Sequence, residues 1–63
     1  MIAVTRLNGS RFVVNADLIK YVEETPDTVL TMRDGERLVV RERAQEVVSM
    51  AVEYARSVRG PTA

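Results

Sequence analysis

The chain has 63 residues, with nine basic and nine acidic side chains and neither cysteine nor histidine. A domain of this size buries only about 60% of the surface that its unfolded form exposes, so its core is small. The missing residue types exclude disulfide bonds and metal sites built on thiolates or imidazoles. Because small domains are otherwise stabilised by association, we expect copies of this chain to bind one another.

The net charge of zero provides no overall field to attract nucleic acid or an anionic membrane. The opening "MIAVTRLNG" lacks the charged and apolar segments of a signal peptide. The longest strongly apolar run, residues 47–52, is far shorter than the about 20 residues that span a bilayer. These features predict a cytoplasmic protein.

Runs rich in β-branched residues predict five short antiparallel strands, at residues 2–7, 11–14, 19–24, 28–32 and 37–41. Asn8-Gly9 predicts a hairpin between the first two strands, because both residues tolerate positive φ. A strict two-residue turn would place Arg6 opposite Arg11, and such like-charge pairs cost stability. Either the loop is longer by one residue or an acidic group lies between the arginines.

Two further signals interrupt the strands. At "NADL", the side chains of Asn15 and Asp17 can bond nearby backbone groups, which predicts one turn of helix or a tight bend. Before the fourth strand, Pro26 and Asp27 favour a type I turn, since proline fixes φ at a suitable value.

Asp34-Gly35 predicts the last hairpin. A two-residue turn would place Thr31 opposite Leu38 and Arg33 opposite Glu36. The predicted faces hold Val29, Thr31, Leu38 and Val40 on one side, and Leu30, Met32, Arg37 and Val39 on the other. Both faces therefore carry apolar side chains, unlike a sheet with one side fully in water.

From residue 42 the apolar residues recur every three or four positions, which predicts an amphipathic helix over residues 42–58. Gly60-Pro61 cannot continue it. We therefore expect an α+β fold in one domain, residues 1–59: a small antiparallel sheet of about five strands, one C-terminal helix and a disordered tail at residues 60–63.

Apolar residues also cover about half of the helix circumference, more than the about 100° that one contact surface needs. Wide apolar faces on both the sheet and the helix favour a second copy that covers one of them. The alternative is that the sheet curls on itself, or that Met50 and Val52 are ordinary exposed apolar residues. The candidate residues for this oligomer interface are Leu30, Met32, Val39, Met50, Val52 and Tyr54.

Catalytic and metal sites are not indicated. The serines have no evident base, and no glycine-rich phosphate loop is present. Glu23 and Glu24 are adjacent in a strand, so they point to opposite faces and cannot act together on one substrate. Their spacing to Asp27 does not match a calcium loop. We expect a protein that is not an enzyme and that uses no cofactor, metal or small-molecule substrate.

The arginines allow one alternative. Arg37 and Arg41 share a face of the last strand, and an arginine ladder could contact RNA phosphates. Acidic residues lie among these arginines, and no aromatic residue is placed for base stacking. A solvated edge of mixed charge is the simpler interpretation.

Several segments resemble the small flagellar FlbD/SwrD family. They are "TRLNG", "NADLI", "EETPDT", the hairpin Gly35 and "EVV", in that order, and the similarity runs from residue 2 to residue 54. The resemblance implies a cytoplasmic accessory of bacterial flagellar motility, acting at the flagellar base through protein contacts, with the motor's stator as beneficiary. This chain departs from the family at "MRDGERL" and at Arg43, where the family often starts the helix with Ser or Thr.

The resemblance also makes the "EETPDT" turn a candidate contact surface. Candidate partner contacts are Glu23, Glu24 and Asp27 at this turn, with Arg6, Asn8 and Arg11 at the first hairpin. The chain is also similar in length and strand pattern to the CsrA-type RNA-binding regulators, which gives RNA binding as the alternative function.

Overall fold

The computed structural model describes residues 1–59. The elements are β1 (Ile2–Thr5), β2 (Arg11–Val14), a 3-10 turn (Ala16–Leu18), β3 (Ile19–Glu24), β4 (Thr28–Met32), β5 (Arg37–Val40) and α1 (Ala44–Arg59). Five short antiparallel strands and one C-terminal helix confirm the predicted α+β class. The tail predicted at residues 60–63 lies outside the described residues.

The strands form two antiparallel sheets that meet at one bridge. β1 pairs with β2, and β3, β4 and β5 form a three-stranded sheet in that order. Arg6 and Val40 make an antiparallel bridge between the two sheets. The Arg41 backbone N–H then donates to the Thr5 carbonyl oxygen at 2.8 Å. The end of β1 therefore lies beside the end of β5, far from it in sequence.

The first hairpin has the longer of the two loops that the sequence allowed. The Arg6 N–H donates to the Ser10 carbonyl at 2.8 Å, and Gly9 closes the loop with φ 93°. Thr5, rather than Arg6, therefore stands opposite Arg11. This loop of three residues keeps the two arginines out of register.

The prediction of a two-residue turn at Asp34-Gly35 is wrong. The Met32 N–H donates to the Glu36 carbonyl at 2.7 Å, so the loop has three residues, and Gly35 has φ 93°. A glycine in the left-handed region at the last loop position is typical of such loops. The extra residue shifts the register by one, so that Leu38 pairs with Leu30 instead of Thr31.

A one-residue shift of register changes which side chains of β4 and β5 share a face of the sheet. The core contains Ile2, Val4, Val14, Leu30, Met32, Val40 and Val47. Two predicted interface residues, Leu30 and Met32, thus lie inside a single chain and are not exposed to a second copy. Each such buried side chain contributes about 1.5 to 3 kcal/mol, which makes the core the main source of stability.

The bend between β2 and β3 forms as predicted. The Asn15 Oδ1 accepts a hydrogen bond from the Asp17 N–H at 3.0 Å, and one 3-10 turn follows. Between β3 and β4, the Thr25–Pro26 peptide bond is cis and Glu24 pairs with Thr28.

The helix α1 begins at Ala44, two residues later than predicted. Residues 41–43 form a bend between β5 and α1, beside the end of β1, and we call them the connector. The first helical hydrogen bond joins the Val47 N–H to the Arg43 carbonyl at 3.1 Å. α1 packs on β1 and β3, and Val47 is its one fully buried side chain among the described residues.

Candidate functional site at the motif junction

The connector brings together two segments that are distant in sequence: the "TRLNG" hairpin and the "EETPDT" turn. A groove of about 390 Å³ opens where they meet. We call it the motif junction; its lining residues are Leu7, Glu24, Pro26, Asp27, Thr28, Val40, Arg41 and Arg43. Three contacts from the connector and α1 hold this junction in shape.

The first contact joins Glu42 to Thr5. The two carboxylate oxygens of Glu42 accept hydrogen bonds from the backbone N–H and the side-chain hydroxyl of Thr5, both at 2.8 Å. Burial raises the pKa of Glu42, but the Thr5 hydrogen bonds and the positive charge of Arg11 outweigh it and hold this pKa below its ordinary value. Glu42 is thus a bound anion that fixes the connector to β1.

The second contact joins Arg41 to the hairpin loop. The Nε and Nη2 atoms of Arg41 donate to the Leu7 carbonyl oxygen at 3.0 and 2.7 Å. The guanidinium also lies close to Gly9, where an added Cβ would be 3.8 Å from Nη2. Because Gly9 has a positive φ, a side chain there would strain the backbone before it met Arg41.

The third contact caps α1. Arg43 occupies the position before the helix. Its side chain has no acceptor for hydrogen bonds from the free N–H groups at the start of the helix. The Glu24 Oε1 accepts from the Ala44 N–H at 2.9 Å instead. The Glu46 Oε1 accepts from the Arg43 N–H at 2.8 Å, and the Glu24 Oε2 lies 3.4 Å from the Arg43 Nε. Two carboxylates therefore take the place of a Ser or Thr N-cap, and both suit the positive end of the helix dipole.

The structure divides the predicted contact residues. Glu24 and Asp27 both line the motif junction, but the Glu24 carboxylate is already bound to the start of α1. Glu23 is exposed and outside the lining of the junction. Of the predicted contact residues at this turn, Asp27 is thus the one that lines the groove and whose carboxylate does not cap α1.

The first-hairpin candidates lie beside the junction rather than in it. The Asn8 Oδ1 accepts from the Ser10 N–H at 2.9 Å and so shapes the loop. The Arg6 guanidinium lies over the Phe12 ring, 4.2 Å from its centroid. Arg11 is exposed and acts on the Glu42 carboxylate through its charge.

Three exposed lining residues from outside the predicted turn were not among the predicted partner contacts. Leu7 is 49% exposed at the edge of the groove, and Arg41 and Arg43 come from the connector. Leu7 belongs to "TRLNG", so that motif could have indicated it. The arginines could not have been found, because their position depends on contacts with residues far away in sequence.

These contacts also involve one of the two arginines, Arg37 and Arg41, that were considered as a possible RNA-binding ladder on the last strand. Arg41 is bound to the Leu7 carbonyl, whereas Arg37 is exposed at the start of β5. One member of the predicted ladder is therefore engaged in a contact within the chain.

The remaining interface candidates lie elsewhere. Val39 is 37% exposed on the outer face of β5, and Val52 is 45% exposed on α1. Met50 and Tyr54 are half-buried where α1 packs against the core. Val48, which was not among the candidates, is 50% exposed on α1.

The chemistry available at the junction is that of a polar binding groove. Among the described residues, no group of three carboxylates could hold a metal ion. Within that same part of the chain, α1 falls short of the length and apolar character that a membrane crossing needs. The groove offers the exposed apolar side chains of Leu7 and Pro26, both signs of charge and a backbone held by hydrogen bonds.

The fold and this groove define a small α+β protein whose sequence motifs meet at one surface. The FlbD family of flagellar and swarming motility proteins matches residues 1–59, and the chain belongs to that family. Its role is therefore in flagellar and swarming motility. No curated protein and no solved structure matches the chain.

Proposed function

We propose that this chain is a non-enzymatic interaction protein that supports the flagellar motor, with the stator as its beneficiary, and that the motif junction is its contact surface. The proposal rests on the meeting of two distant sequence segments at one groove. Residues 5–9 and 23–28 carry the resemblance to the family, and both segments border the same groove. A turn and a hairpin that served only to reverse the chain would not need to share a surface.

The internal contacts support a preformed site. Glu42, Arg41 and Glu24 each hold a different wall of the groove through hydrogen bonds. A surface that is already fixed loses little conformational entropy when a partner binds. The side chains left for a partner are Leu7, Asp27 and Arg43, the last with 76% of its side chain exposed.

The same contacts support a non-enzymatic role. Glu42 is the carboxylate whose pKa departs most clearly from its ordinary value, and shifted pKa values often mark catalytic groups. Both of its oxygens, however, are bound to Thr5 within the chain. The shift is explained by a structural contact, so it does not indicate a general acid or base.

The test is the motility of a strain that lacks this gene, with swimming speed and filament number scored in the same cells. The proposal predicts a normal number of filaments and slow swimming, with a larger defect in viscous medium, where the motor works against a higher load. Restoring the gene should restore the speed. Missing filaments would contradict a role at the motor and would place the protein in flagellar assembly or expression.

A second experiment separates this role from RNA binding. At about 50 mM salt electrostatic affinity for RNA is high, so a regulator of the CsrA type should bind there and release RNA as salt rises. Our proposal predicts no such binding. Salt-dependent binding that weakens in Arg6→Ala or Arg41→Ala would favour the RNA-binding alternative instead.

A further inference from the structure

β3 is an outer strand of the three-stranded sheet, so one of its edges is not paired with any strand in residues 1–59. Unpaired strand edges present N–H and C=O groups that can bind another strand. An apolar groove of about 310 Å³ lies between this strand and α1. Its apolar lining residues are Ala16, Ile19, Val22, Val47, Val48, Ala51, Val52 and Ala55.

The charges on β3 are arranged with one sign at each end. Lys20 lies near the start of the strand, and Glu23 and Glu24 end it. If two copies of β3 paired antiparallel about Val22, the lysine end of each would lie beside the glutamate end of the other. This arrangement places opposite charges together twice and keeps like charges apart, whereas a parallel pairing would do the reverse.

We propose that a second copy of this chain binds along β3, by antiparallel pairing of the two strands around a two-fold axis at Val22. Two-fold interfaces use the same patch on both subunits, and the charge pattern of β3 is complementary to itself. The pairing joins two three-stranded sheets into one of six strands. It also brings the α1–β3 grooves of the two copies side by side and covers Val48 and Val52, which are about half exposed in the single chain.

The strand geometry fits this arrangement over a short length. The register of β3 against β4 is irregular between Ile19 and Tyr21, which limits regular pairing to the residues from Tyr21 onward. The Lys20 Nζ lies 5.3 Å from the centroid of the Tyr21 ring. Because Tyr21 and Glu23 alternate onto the same face of the strand, Lys20 is on the side where the partner's Glu23 would lie. The apolar groove completes a contact that so short a ladder would not hold alone.

The test is the molar mass of the intact chain by light scattering over a range of concentrations. The proposal predicts a mass twice that of the 7.1 kDa monomer. Lys20→Glu makes both strand ends acidic, and Glu23→Lys makes each end carry a lysine. Each variant should raise the dissociation constant by at least about tenfold, since like charges placed together at an interface are strongly unfavourable.

Combining the two changes restores opposite charges at each end, so Lys20→Glu with Glu23→Lys should recover the dimer. Glu53→Lys, on a different part of α1, is the matched control and should leave the mass unchanged. All three residues are exposed, and circular dichroism of each variant checks that it is folded. A monomeric wild type, a dimer unaffected by either single change, or no recovery in the double variant would overturn the proposal. None of these outcomes bears on the motility role.

Discussion

The motif junction and the α1–β3 groove lie on the same small chain but are held in different ways. At the junction, Glu42, Arg41 and Glu24 make hydrogen bonds across 20 to 37 residues of sequence. The α1–β3 groove is bounded mainly by aliphatic side chains, and its exposed lining residues are Val48, Val52, Ala55 and Lys20. This chain thus uses polar side chains to fix the motif junction and leaves apolar area exposed at the α1–β3 groove.

The size of the core explains the difference. Of the described side chains of α1, only Val47 is fully buried, because five strands of four to six residues cannot cover a wider part of the helix. The junction should therefore be sensitive to single polar changes, and the groove should tolerate substitutions in the isolated monomer.

Glu42→Ala should lower the free energy of unfolding by about 2 to 3 kcal/mol, because it leaves the N–H and hydroxyl of Thr5 without their charged partner. Urea unfolding followed by circular dichroism measures this change. Glu53→Ala, another helix-region glutamate, is the control and should change stability by less than about 0.5 kcal/mol. Equal effects of the two substitutions would show that the Glu42 contact does not hold the connector.

Acid should remove part of the same contribution. The pKa of Glu42 is lowered in the folded chain from its ordinary value of 4.5. The stabilisation is therefore fully present above that value and is lost as the pH falls through the folded-state pKa. Glu42→Gln lacks the titrating group, so the stability gap between wild type and Glu42→Gln should shrink below pH 4.5. A gap that does not depend on pH would contradict the lowered pKa.

Glu24→Ala should cost about 1 kcal/mol, the usual value for a lost helix cap, and should lower the helical signal near the start of α1. Its neighbour supplies the control: Glu23→Ala removes the same charge from the opposite side of β3 and should have little effect on the monomer. If both substitutions had the same cost, the capping contact of Glu24 would be excluded as the cause.

Val48→Ser and Val52→Ser should each change the stability of the dilute monomer by less than about 0.5 kcal/mol, because about half of each residue is already in water. Val47→Ser, one position away and fully buried, should be clearly destabilising. Denaturation at low protein concentration makes the comparison. A large effect at Val48 or Val52 would mean that the groove is part of the core.

Much of this fold could be predicted from local patterns. The β-branched runs, the Asn15 bend and the change to helical periodicity all depend on neighbouring residues, and each appears in the structure. The register of the last hairpin was predicted wrongly, because Asp34-Gly35 suits both a two-residue and a three-residue loop. Only the packing of Leu30 in the core distinguishes these two loops.

The junction was harder to predict for the same reason. Glu46 stands three residues after Arg43, where a capping glutamate is expected, so half of the helix cap could have been found. The other half comes from Glu24, 20 residues earlier in the chain. Because that contact depends on tertiary structure, Glu24 of "EETPDT" was predicted to be a partner contact. In the structure its carboxylate caps the helix.

The proposal that the motif junction is the contact surface is tested most directly by the motility of cells in which the junction is altered but the fold is kept. Leu7→Ser with Asp27→Lys changes two exposed lining residues and spares Glu24, whose loss would disturb the helix. Asp17→Lys, an exposed aspartate at the other end of β3, is the matched control. We expect slow swimming with a normal number of filaments in the junction variant, and normal swimming in the control. Normal swimming of a folded, normally expressed junction variant would contradict it.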